Sequence, residues 1–73
     1  MSKETYMIES LTRDLITQVM EDQHLSWREA MDVVYRSKTF AALNDLSTGL
    51  YFQSVAYVYE DLADELKKNA SDK

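Results

Sequence analysis

Asp45-Leu46-Ser47-Thr48-Gly49-Leu50-Tyr51-Phe52-Gln53-Ser54 holds the only glycine of a 73-residue chain that contains no proline. Glycine supplies left-handed backbone at little steric cost, and proline interrupts helices. Their near-absence elsewhere predicts helices joined by short polar breaks, with the sharpest turn at Gly49. The fold class expected is all-α, a small bundle of three to four helices in one domain over residues 1–73, with residues 1–2 and 69–73 frayed.

Just upstream of this segment, Phe40, Leu43 and Leu46 recur every three residues behind the capping candidates Ser37 and Thr39. That spacing predicts a third helix of about two turns, in part 3₁₀. Downstream, the run Leu50–Gln53 reads equally as extended or helical. Ser54 then offers a cap for a last helix with Val55, Val58, Tyr59, Leu62 and Leu66 as its buried stripe. Lys67 and Lys68 sit favourably near the negative C-terminal end of that helix.

Further from the glycine, Ser26-Trp27-Arg28-Glu29 has the Ser-x-x-Glu form of a capping box, in which hydroxyl and carboxylate reciprocally satisfy free amides. A second helix is expected from Trp27, with Trp27, Ala30, Met31 and Val34 facing inward and Arg28, Asp32 and Arg36 forming ion pairs on a solvated face. Leu25 and Ala30 occupy the positions of a weak hydrophobic staple. From Lys3 to about Gln23, the residues Ile8, Leu11, Leu15, Ile16, Val19 and Met20 predict an amphipathic first helix capped by Ser2. On it, Glu9 and Arg13 stand four apart in the order that favours a helical ion pair.

A domain of 8.5 kDa buries only about 60% of its unfolded surface. Without cysteine, neither a disulfide nor a thiolate zinc site supplements the core, so a protein partner or a second copy, as a homodimer, is the expected further source of stability. The formal charge is -5, and the cations Lys3, Arg13, Arg28, Arg36, Lys38, Lys67, Lys68 and Lys73 are dispersed. Phosphate backbones repel such a chain, which disfavours nucleic acid and anionic membranes as partners. The N-terminus shows no signal-peptide pattern, and no window approaches the roughly 18 apolar residues of a membrane span. The expectation is a soluble cytoplasmic protein.

Chemistry-bearing constellations are sparse. His24 is the only histidine; with Glu21 and Asp22 it suggests a carboxylate–imidazole cluster, but a metal site wants several converging ligands, and a solvated turn residue is the simpler reading. Glu60, Asp61, Asp64 and Glu65 form two like-charged pairs four residues apart, a repulsion that something should offset. One glycine excludes phosphate loops and dinucleotide fingerprints, and one histidine without cysteine leaves little for nucleophilic catalysis. No catalytic, cofactor-binding or metal-ligating residue is therefore expected, and no enzyme.

The densest unusual feature is aromatic: Tyr51, Phe52, Tyr57 and Tyr59. On a helix beginning after Ser54, residues 57 and 59 cannot both face one core. Tyrosine pairs a large apolar body with a polar tip and is favoured at interfaces, so these four residues are the candidate contact surface, and the alternative that all four simply close a thin core stands level with it. Two alternatives stand beside this interaction module. One is a helix-turn-helix regulator whose recognition stretch, Lys38 to Asn44, offers one cation and one amide. The lesser is a metal-binding protein built on the carboxylates of residues 60–65.

From Ile8 to Leu66, with Leu25-Ser26-x-x-Glu29-Ala30 and Tyr57-Val58-Tyr59-Glu60-Asp61-Leu62 as markers, the chain resembles a family of short, all-helical bacterial proteins of unknown function. These have a Leu-Ser-x-x-Glu helix start and a tyrosine-rich last helix. Where that family often carries a Leu-His pair, this chain has Tyr51-Phe52-Gln53-Ser54. Members are often encoded beside genes for toxin-like ADP-ribosyltransferases, so the resemblance implies an antitoxin or accessory role.

Overall fold

The computed structural model describes residues 2–71, with side chains through Lys68. Among them run four α-helices and no strand: α1 (Lys3–Gln23), α2 (Trp27–Arg36), α3 (Lys38–Asn44) and α4 (Val55–Ser71). Two 3₁₀ turns, Leu46–Thr48 and Leu50–Phe52, join α3 to α4. The protein is thus a small all-α bundle, and α1 is its spine, touching the three other helices and the second 3₁₀ turn.

Serines start the helices. The Ser2 hydroxyl accepts the Thr5 amide at 3.1 Å, and Ser26 and Glu29 complete both halves of the capping box at 3.2 and 3.0 Å. That bonding holds the Glu29 carboxyl below its ordinary range, the Ser26 amide contributing most. Ser54 accepts the amide of Tyr57 at 3.2 Å to open α4. Ser37 alone separates α2 from α3. Its buried hydroxyl donates to the Val34 carbonyl at 2.6 Å and accepts the Phe40 amide at 3.0 Å, closing one helix and opening the next.

Among the described residues, left-handed backbone occurs twice. At the end of α1, His24 has φ 55, and the amides of His24 and Leu25 both close on the Met20 carbonyl. Gly49 has φ 67, and a Cβ there would find nothing within 4 Å. Backbone conformation, not space, therefore requires glycine. Around it, the Asp45 carboxylate accepts the Ser47 hydroxyl and amide at 2.7 and 3.0 Å. The Thr48 hydroxyl donates to the carbonyls of Ala42 and Asp45 and accepts the Leu50 amide. Leu50–Phe52, ambiguous in sequence, is a 3₁₀ turn that becomes extended at Gln53.

The core assembles Leu11, Leu15, Ile16 and Val19 of α1, Ala30 and Val34 of α2, Leu43, Tyr51, and Val58 and Leu62 of α4. Four expectations need correction. Leu46 is 52% exposed, because the helix ends at Asn44 and the three-residue spacing does not carry through the turn. Trp27 is 44% exposed, standing at the first turn of α2 on the rim of the core. Glu9 and Arg13 are both exposed and form no ion pair. Of the Arg28, Asp32, Arg36 series only Arg36–Asp32 pairs, at 3.2 Å in solvent. The expected fraying of residues 1–2 and 69–73 falls partly outside the described residues; within them Ser2 caps α1, and α4 is helical through Ser71.

Candidate interaction surface

The four aromatic residues singled out in the sequence divide into two pairs. Tyr51 is buried, at 9% exposure, although its ring lies 4.3 Å from that of Phe52. Tyr59 is half-buried, and its hydroxyl donates to the Asp22 carboxylate at 2.6 Å, tying α4 to the end of α1. Burial, together with the hydrogen bond and charge of Asp22, pushes the Tyr59 phenol up to about 12. Phe52 and Tyr57 face solvent at 69% and 50% exposure. The helical period explains the contrast on α4: Val58 and Leu62 fix the buried face, Tyr59 borders it and Tyr57 lies outside it.

A second surface, of mixed polar and apolar lining, has no counterpart among the contact residues that the sequence singles out. A groove of about 400 Å³ opens beside α1, which contributes Ile8, Glu9, Thr12, Arg13 and Ile16 to its lining. Trp27 and Tyr35 of α2 and Phe40 and Asn44 of α3 complete it. The Tyr35 and Phe40 rings meet edge to face at 5.1 Å. Thr12 satisfies its hydroxyl within α1 by donating to the Ile8 carbonyl at 2.7 Å, and Asn44 donates its amide to the Phe40 carbonyl at 3.0 Å. The legible signal was a second four-residue row on each helix, Ile8-Thr12-Ile16 and Trp27-Met31-Tyr35, beside the row that fills the core.

The acidic residues of α4 also separate. Glu65 reaches across to the start of α3, where its carboxylate accepts the amides of Lys38 and Thr39 at 2.7 and 2.9 Å and the Thr39 hydroxyl at 2.8 Å. Partial burial alone would raise its pKa, but these donors and the Lys38 charge outweigh that and hold the carboxyl below its ordinary value. Part of the repulsion expected along α4 is thus offset by the positive end of another helix. Glu60, Asp61 and Asp64 remain in solvent, as does His24. Among the described residues, no three histidine, aspartate or glutamate side chains converge as metal ligands, and no helix is long and apolar enough to cross a membrane. No protein-family model matches the chain, and no curated protein or solved structure is significantly similar to it.

Proposed function

We propose that this protein is a small non-enzymatic interaction module, acting in the cytoplasm through protein–protein contacts. An antitoxin-like or accessory role, implied by the family resemblance, is one form of that function. The supporting observation is that five of eight aromatic side chains, Tyr6, Trp27, Tyr35, Phe52 and Tyr57, stand exposed on a small bundle. Its described buried polar side-chain atoms all have hydrogen-bond partners. Keeping large apolar rings in water brings the fold no stability, whereas such rings supply most of the energy of protein contacts. The cysteine-free composition fits a reducing compartment.

The helix-turn-helix alternative gains nothing from the geometry. The start of α3, which in such a motif would approach the nucleic acid, is covered by the Glu65 carboxylate. A photo-crosslinking amino acid at Phe52 or Tyr57, introduced in the native host, is expected to trap a discrete protein adduct, whereas the same group at exposed Asp14 is not. Failure to trap any adduct at either aromatic position would remove the reading. Sequence-specific retardation of DNA at low salt would replace it with the regulator.

A further inference from the structure

We infer that the groove beside α1 is a homodimer interface, in which α1 of one copy lies antiparallel to α1 of a second across a two-fold axis passing between Glu9 and Arg13. This deepens the interaction-module reading, resting on it for the premise that the exposed aromatic rings are contact surface. It assigns a different face from Phe52 and Tyr57, neither of which lines the groove.

Charge placement selects a second copy as the occupant. Two charged side chains line the groove, the acid Glu9 and the base Arg13, one helical turn apart on the same element. Although their order favours an intrahelical pair, they form none; both project into solvent. A two-fold axis between them sets Glu9 of each copy against Arg13 of the other, so both charges are matched twice over by the chain's own surface. Isologous interfaces require this self-complementarity. A partner of different sequence would need an acid and a base in the mirrored order.

The groove's other groups suit the same occupant. The Thr12 hydroxyl and one N–H of the Asn44 side-chain amide already donate within the protomer, and the rest of the exposed Asn44 amide stays open to solvent or to the second copy. Thr12 and Ile16 form the buried floor of the groove, so a second copy meets the partly exposed Ile8, with the exposed rings of Trp27 and Tyr35 at the margins. Apolar contact from Ile8, Trp27 and Tyr35 beside reciprocal ion pairs follows the mixed composition usual for an interface between folded chains.

Sedimentation equilibrium of the full chain across the micromolar range tests the assignment. Wild type is expected to dimerise, and Glu9→Arg or Arg13→Glu, each at an exposed helical position and checked for helix content by circular dichroism, to raise the dissociation constant about tenfold or more. An equimolar mixture of the two variants is expected to recover wild-type affinity, because acid and base again oppose each other at both ends of the pair. A monomeric wild type, unchanged constants in the variants, or a mixture that fails to recover each overturns the inference. A monomeric wild type that still crosslinks a distinct protein through Tyr57 would sink the dimer and keep the module; a dimer with no adduct would do the reverse.

Discussion

Gly49 and His24 hold left-handed backbone, and they predict opposite results. Gly49→Ala is expected to cost about 1 kcal/mol through backbone strain alone, since a Cβ there meets nothing. His24 already carries that strain with a side chain, so His24→Gly is expected to stabilise by roughly 0.5 kcal/mol once the greater entropy of unfolded glycine is subtracted. Urea denaturation of both variants reads the signs. The first residue was legible because it is the chain's only glycine; the second was not, because histidine gives no conformational cue and the turn at residues 24–26 shows only as a break in apolar spacing. The burial of Tyr51 is illegible in the sequence for a related reason. Its neighbours allowed either an extended or a helical path, and only the 3₁₀ turn decides which ring of Tyr51-Phe52 turns inward.

Between elements, the decisive contact is the cap that α4 places on α3. Local caps were readable, since Ser2, Ser26, Ser37 and Ser54 act within three residues of themselves. Glu65 acts on residues 26 and 27 positions away, and sequence showed only its repulsive context. The depressed carboxyl fixes the sign of the pH effect. Its contribution is present above its ordinary value near 4.5 and is lost as pH falls through the lower folded value. Glu65→Gln should therefore destabilise the protein by about 1 kcal/mol at neutral pH, a modest figure because the site is largely solvated. Its deficit relative to wild type should shrink in acid. Denaturation midpoints across the range from pH 3 to 7 check this, and a deficit independent of pH would assign the loss to packing instead.

At the scale of the whole molecule, periodicity and capping residues locate the starts of the four helices and most of the core, because amphipathic spacing records which stripe is buried, while the ends of α3 and α4 fall two to three residues from the expectation. They do not reveal the groove, whose walls come from three helices that meet only after folding. The core leaves little reserve. At roughly 0.05–0.15 kcal/mol per residue the domain holds about 4–11 kcal/mol in total, and Leu15→Ala, at a fully buried position on the spine, is expected to remove about 3 kcal/mol. Thermal melting followed by circular dichroism should show a large drop in midpoint. The Glu65 cap has a consequence for synthesis as well. A nascent chain that has emerged only through α3 has neither the carboxylate that caps the start of that helix nor the α4 face that covers it. Translation products that stop before Glu65 are therefore expected to be cleaved by protease faster than the full chain.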